Sequence, residues 1–262
     1  MQIIDLTETH ESLFLCCLED WSDEATQESG SHRGEWYETM REKGLRVKLS
    51  LDDDGTVGGM IQYAPIEHTY VDGKELWFIY CIWVHGHKKG RGNLQKRGMG
   101  KALLAAAEED VRELGGKGLV AWGLRLPIWM KASWYRKLGY LPADRDGIAS
   151  LVWKQFSEDA EPPRWIKQKK KPEPVPGRVT VTSFIYGWCM AQNLTHERAK
   201  RAVAEFGELV DHQVYDTRSE SVFDEWGIVD ALFIDGKRVN TGPPPSYAKI
   251  RKKIAKRVRK VS

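Results

Sequence analysis

At 262 residues, with 41% hydrophobic and 29% charged residues, the chain can bury more than one small core, which predicts one large or two modest domains. No stretch approaches the roughly 20 apolar residues that span a bilayer, so no membrane partner is expected. The formal net charge of +3 is unevenly placed: "KIRKKIAKRVRK", Lys249 to Lys260, holds eight Lys or Arg and no acid, and without those eight charges the balance is −5. A basic surface over the whole protein is therefore not expected, which argues against nucleic acid as a partner and confines anion binding to local patches.

The opening "MQIIDLTETHESLFLCCLED" carries acids and no basic leader, which predicts no export signal and a cytoplasmic location. Four cysteines, with Cys16 and Cys17 adjacent and no CxxC pair, fit neither a disulfide framework nor a zinc site. They read as reduced thiols, and no metal is expected. Apolar alternation predicts strands near Gln2 to Leu6, Leu45 to Leu51, Val57 to Ala64 and Leu76 to Val84, with helices at Glu11 to Leu18 and Glu35 to Glu42. A helix follows from about Gly98 to Leu114, its Leu103, Leu104, Ala107, Val111 and Leu114 recurring at three and four residues on one stripe. "GLVAW" then reads as a strand and "WMKASWYRKLGY" as a helix closed by Gly139.

This is an α+β order. It ends in "SEDAEPPRWIKQKKKPEPVPG", Ser157 to Gly177, which is rich in Pro, Lys and Glu and reads as a linker between residues 1–156 and 178–262.

The run "HGHKKGRGNLQKRGMG" before the long helix has a direct physical meaning. A strand ending at Val84, a glycine-rich basic loop and a helix starting near Gly98 gather unpaired backbone N–H groups and the positive end of a helix dipole at one point. Such a point attracts phosphate. Lys96, Arg97 and Lys101 add charge, and the spacing is neither a P-loop nor GxGxxG.

At these residues the sequence resembles the Gcn5-related N-acetyltransferases (GNAT superfamily). "QKRGMG", Gln95 to Gly100, is similar to their [QR]xxGx[GA] acetyl-CoA pyrophosphate loop, and "WYRKLGY", Trp134 to Tyr140, to their closing "FYxKLGF". The resemblance covers about residues 1 to 155, and with its C-terminal extension the chain looks like the YoaP-like acetyltransferases. His85 to Leu94 departs from the family pattern as an insertion. His85 and His87 read there as solvent-exposed loop residues, with a general-base or substrate role as the alternative.

The resemblance implies a mixed, mostly antiparallel central sheet flanked by helices. It also implies acetyl-CoA as acyl donor, with the pantetheine on the backbone near Trp83 and Val84 and the pyrophosphate on Gln95, Lys96, Arg97, Gly98, Met99, Gly100 and Lys101. Tyr135 would protonate the departing thiolate, having a usual pKa of about 10, or else be a packed helix tyrosine. Glu75, Tyr80 and His85 are the candidate bases. The acceptor, an amine of a small molecule or peptide, would meet the acid-rich "EDWSDEATQESGSHRGEW", where Asp20, Asp23, Glu24 and Glu28 can hold a cation and Trp21 and Trp36 can wall it. Those acids also read as a plain solvated loop. A regulatory or partner-binding protein with acetyl-CoA as ligand is the alternative to an enzyme.

Beyond the linker, "RVTVTSFIYGWC" reads as a strand, "LTHERAKRAVAEFGEL" as a helix, "VDHQVY" as a strand and "ESVFDEW" as a short helix. "VDALFIDGKRVN" reads as a hairpin turning at Asp235-Gly236, and a last helix follows. This order looks like a small α/β thioredoxin-like domain. Cys189 stands where that fold carries its nucleophile, but Gln192 occupies the second position of the CxxC and the usual cis-proline position has no proline. A dithiol cycle is therefore not expected. Cys189 reads as inert, or as a single thiol contacting a substrate or partner. In the last helix Tyr247, Ile250, Ile254, Val258 and Val261 share one face, which predicts that the lysines are simply the solvent side, with a surface for nucleic acid or an acidic partner as the alternative.

Overall fold

The computed structural model describes residues 1–20, 22–126, 130–239 and 243–261. In chain order its elements are β1 (Gln2–Asp5), α1 (Glu8–Leu15), α2 (Glu24–Glu28), α3 (His32–Glu42), β2 (Arg46–Leu51), β3 (Val57–Pro65), β4 (Val71–Asp72) and β5 (Trp77–Val84). There follow α4 (Met99–Glu113), β6 (Gly118–Leu124), α5 (Ala132–Arg136), β7 (Leu141–Asp146), β8 (Ala149–Gln155) and β9 (Arg164–Trp165). The remainder comprises β10 (Val179–Ile185), α6 (Met190–Ala204), β11 (Val210–Asp216), α7 (Glu220–Trp226), β12 (Ala231–Ile234), β13 (Lys237–Val239) and α8 (Tyr247–Val258). Among the described residues no helix is long and apolar enough to cross a membrane. The chain forms two compact units, Met1–Asp20 with Glu38–Ile166, and Trp21–Tyr37 with Lys167–Ser262.

The first unit is built on a seven-stranded sheet in the order β1-β2-β3-β5-β6-β8-β7. Every neighbouring pair is antiparallel except β5 and β6. The sheet is thus mixed and mostly antiparallel, as expected. Central β3 is buried along nearly its whole length rather than at alternate residues, so both of its faces are covered, one of them by α4. The apolar stripe of α4 supplies the cover: Leu103, Leu104, Ala107 and Val111 are buried with Ile61, Tyr63 and Ile79 of the sheet. Leu114 does not join them; it caps the helix and is half exposed. One acid is carried inward on the same helix. Asp110 accepts from Tyr63 Oη (2.6 Å) and from both Nε and Nη2 of Arg46 (3.1 and 2.8 Å), which pins α4 to β2 and β3.

Two expected features are shorter or better anchored than the sequence implied. The helix expected over "WMKASWYRKLGY" is only the five residues of α5, because Met130 has φ +50° and Gly139 has φ +91°, each a break in helical backbone. Part of the expected linker is structured. Trp165 in β9 pairs with Val71, donates its N–H to Asp144 (2.9 Å), and stacks on Tyr70 with ring centroids 6.3 Å apart.

The second unit carries a four-stranded sheet in the order β11-β10-β12-β13. β10 runs parallel to β11 and antiparallel to β12, and the β12–β13 hairpin turns at Asp235 and Gly236, both at positive φ. Its core joins Val179 and Val181 of β10 to Ala199, Ala202 and Val203 of α6 and to Ile250, Ile254 and Val258 of α8. The early segment around α2 belongs here through Glu28, which pairs with Arg198 (2.7 Å) and Arg201 (3.0 Å) of α6 or its flank. On α8 the expected apolar face is buried at Ile250, Ile254 and Val258, while Val261 lies past the helix and is exposed.

Candidate active site

β5 and β6 begin side by side and then part. They are paired only at Trp77–Leu119 and Phe78–Val120, and beyond those residues a gap opens between them. The indole N–H of Trp122 reaches across it to the carbonyl of Tyr80 (2.9 Å). A register irregularity opposite Gln62 and Tyr63 leaves Tyr80 out of the β3 ladder, bending β5 where the gap begins.

Past the bend the ladder fixes which backbone groups face the gap. His85 donates to Gly58 of the β3 side (2.9 Å), so by antiparallel alternation Trp83 also faces β3, whereas Ile82 and Val84 turn their N–H and C=O groups away from it. The sequence expected Trp83 and Val84 to share this role. Both residues line the cleft, Val84 with its backbone turned toward the gap and Trp83 with its backbone turned toward β3.

The gap continues into a cleft of about 800 Å³ lined by Ile82, Trp83, Val84, Leu94, Gln95, Lys96, Gly98, Met99, Gly100, Lys101, Met130, Lys131, Trp134 and Tyr135. Eight of the nine expected loop and strand residues are thus brought together, along with Tyr135. Arg97 is the exception: it is paired with Asp52, which neutralises much of what its charge can offer. At the loop's end Gly98 caps α4 in the left-handed region at φ +88°, a conformation glycine takes without strain. Its carbonyl accepts from Lys101 (3.0 Å) and Ala102 (3.1 Å), while the N–H groups of Met99 and Gly100 have no intrahelical acceptor. Gln95 anchors the loop's start, its side-chain amide lying against Val84 O (3.4 Å) and over Gly86, where a Cβ would come within 2.1 Å of Nε2.

Tyr135 sits on the cleft wall with its side chain 1% exposed and its hydroxyl without a hydrogen-bond partner. Its ring packs edge-on against Trp134, centroids 4.9 Å apart. Burial, and secondarily the neighbouring Cys81, push its pKa far above the ordinary tyrosine value. Against the expected usual value of about 10, the shift is upward and favours the protonated phenol.

None of the three candidate bases lines the cleft. Glu75 lies at the far, paired end of β5 in an ion pair with Lys117 (2.9 Å), and Tyr80 is buried with its hydroxyl on His68 O (3.2 Å). His85 is fully buried and not the exposed loop residue expected; its ring Nδ1 is bonded to Gly92 O at 2.6 Å, while His87 is exposed. Among the described residues, the cleft lining holds no carboxylate or imidazole.

Of the expected acceptor residues, Asp20 belongs to the first unit, and Asp23, Glu24, Glu28 and Trp36 belong to the second. Asp23 and Glu24 are exposed at the start of α2, and Glu28 is already engaged by two arginines. Trp36 is fully buried and so packs in a core rather than walling an open site. Trp21 lies outside the described residues. Cys189 occupies the N-cap position of α6 and is partly buried. Sequence reasoning missed Trp134, Lys131 and Met130, which reach the cleft from the segment before and within α5; only Trp134, inside the "WYRKLGY" motif, carried a signal.

A cleft between splayed parallel strands with a glycine-capped helix at one end has the shape and the unpaired N–H groups that suit a long ligand bearing an anionic group. The sequence profile of the acetyltransferase (GNAT) family matches residues 6–140, more than half the chain, and the protein belongs to that family and is an N-acetyltransferase by class. Similar solved structures include an acetyltransferase of the GNAT family from Staphylococcus aureus Mu50, 12% identical, spanning 60% of this chain and 99% of that one, with a TM-score of 0.43. A PaiA N-acetyltransferase from Thermoplasma acidophilum in complex with coenzyme A is 16% identical over 59% and 98% of the two chains, TM-score 0.44. A GNAT family acetyltransferase from Brucella melitensis in complex with acetyl-CoA is 17% identical over 60% and 89%, TM-score 0.40. No curated protein matches the chain.

Proposed function

We propose that the protein transfers the acetyl group of acetyl-CoA directly to an amine of a small molecule or peptide. The observation that carries this reading is the convergence on one cleft of a free β5 edge, the N-terminus of α4 and Tyr135, whose buried hydroxyl has no hydrogen-bond partner within the chain. Acetyl-CoA supplies the activated carbonyl carbon that the amine attacks. Val84 and Ile82 offer backbone groups to an amide-bearing arm, and the N–H groups of Met99 and Gly100, with Lys96 and Lys101, suit a pyrophosphate. The Val84 N–H is placed to stabilise negative charge developing on the carbonyl oxygen. Tyr135 Oη donates its proton to the departing sulfur. Since the described lining has no acid or imidazole, the amine loses its proton to water or through residues elsewhere, and acceptors that are neutral at working pH react fastest.

We read the second unit as a thioredoxin-like accessory domain of the YoaP-like type, a reading supported by its parallel β10–β11 pair, the antiparallel β12–β13 hairpin and Cys189 at the start of α6. Without a second thiol near Cys189 in sequence it does not run a dithiol cycle, and it serves to recognise the acceptor or a partner. The location is cytoplasmic in this account.

A regulatory acetyl-CoA-binding protein remains the second reading, favoured by a cleft lining that, among the described residues, holds no carboxylate or imidazole. A thiol-release assay over a panel of amines, aminoglycosides and peptide N-termini separates the two. The enzyme reading expects CoA release that rises with acceptor concentration and saturates; binding of acetyl-CoA with release indifferent to every acceptor supports the regulatory reading.

A further inference from the structure

The inserted loop has chemistry that acetyl transfer does not use. We propose that Glu19, His85 and His87 form a binding site for a divalent transition-metal ion of the zinc class, at the root of the 85–94 loop and apart from the cleft. One ligand atom from each of the three lies within 4.8 Å of the others. Glu19 places one carboxylate oxygen 3.1 Å from His87 Nε2 and the other 3.8 Å from His85 Nε2. Donors held by metal–ligand bonds of about 2.0–2.1 Å in a tetrahedron stand about 3.3 Å apart, so those two pairs are near that spacing, and the set as a whole, now within 4.8 Å, closes by up to about 1.5 Å to share one ion.

His85 carries the argument. Its side chain is 1% exposed, and its Nδ1 is bonded to Gly92 O (2.6 Å). A carbonyl only accepts, so Nδ1 carries the hydrogen, and the neutral ring then presents a bare lone pair at Nε2. That atom is buried and has no hydrogen-bond partner. An imidazole whose other nitrogen is held by a carbonyl is how metal-ligating histidines are oriented. A buried unpaired nitrogen costs free energy unless something occupies it. Glu19 is presented from Cys17 and Leu18, two consecutive non-glycine residues at φ +54° and +65°, with Leu18 fully buried.

Two imidazoles and one carboxylate suit zinc-class ions and not magnesium or calcium, which prefer all-oxygen shells. The cysteine pattern argues against a zinc site, but this donor set is histidine and glutamate. The site would clamp the loop. His85 follows Val84 directly and its carbonyl accepts from Leu94 N–H (3.0 Å), so the ion closes the loop at the point where it leaves the cleft strand and rejoins the anion loop at Gln95.

The test uses the full chain without a histidine tag, stripped by chelator and then freed of it. Zinc titration by calorimetry should give one equivalent, cobalt(II) should give the visible absorption of a low-coordinate nitrogen and oxygen site, and zinc should raise the melting temperature. Glu19→Gln and His87→Ala change partly exposed groups and should stay folded. Each should weaken zinc by more than the roughly 10- to 100-fold that loss of an outer-shell partner costs, and each should abolish the cobalt spectrum and the thermal shift. Zinc bound equally well by the parent and both variants, absence of a single-equivalent event, or magnesium binding as tightly as zinc would each overturn the proposal.

Discussion

Tyr135→Phe is expected to lower turnover by roughly 10²-fold or more while leaving fold and acetyl-CoA affinity in place, in line with removal of a general acid. The ring and its edge-on contact with Trp134 survive the change. The lost hydroxyl leaves no partner behind, since it has none within the chain, so the melting temperature should hold or rise slightly. The pH dependence follows from the sign of the shift. Burial, then Cys81, raise the phenol's pKa, so the protonated donor is retained as pH rises and Tyr135 does not set the basic limb of the rate profile. Phe should therefore depress kcat by the same factor across pH without moving either limb. Turnover equal to the parent's would show that water or another group protonates the sulfur and that Tyr135 is a packing residue.

The second large effect is on stability. Ile250 and Ile254 are fully buried on α8 against Val179, Val181 and Ala199. Ile254→Asp removes that burial and strands a carboxylate in the same place, costing about 3–5 kcal/mol or more, a large share of what a domain of this size has in hand. Loss of the second unit's tertiary signal in near-UV dichroism, or of amide protection in α6 and α8, should follow in the full chain; Ile250→Asp should match it. The opposite face behaves otherwise. Lys252, Lys253 and Lys256 are exposed, and replacing all three by Gln should move the melting temperature little. Arg257 is left out because it reaches Asp235 in the hairpin turn (3.5 Å). If the glutamine variant alone lost binding to an RNA or DNA pool that the parent holds at physiological salt, the basic face would be a nucleic-acid surface instead.

Local features were readable from the residues and long-range ones were not. The glycines of "QKRGMG" and the helical stripe that follows are neighbours in sequence, so the start of α4 could be placed to within a residue. The parting of β5 and β6 depends on a register between segments some 40 residues apart, and no local pattern encodes it. The parity that turns Val84 rather than Trp83 toward the gap depends on that ladder too. Glu28 looked like a free acid because its arginine partners lie about 170 residues later, and Trp36 looked available because nothing nearby announces its burial. Composition misled at Trp165, an aromatic in a Pro- and Lys-rich run that stacks and pairs. Composition misleads at His85 in the same way: a histidine among Gly, Lys and Arg looks solvated, and only the fold shows its ring enclosed.

The central claim, that acetyl-CoA is held on the Gln95 to Gly100 loop of the β5–β6 cleft, is tested most directly by calorimetric titration of acetyl-CoA into the parent and into Gly98→Glu/Gly100→Glu. The double change puts side chains and negative charge at the α4 N-terminus, where Gly98 holds a left-handed conformation and a Gly100 Cβ would face Trp134 and Val84. The account predicts saturable binding by the parent and none by the variant, with unchanged far-UV circular dichroism. Equal affinity in the two proteins would contradict it.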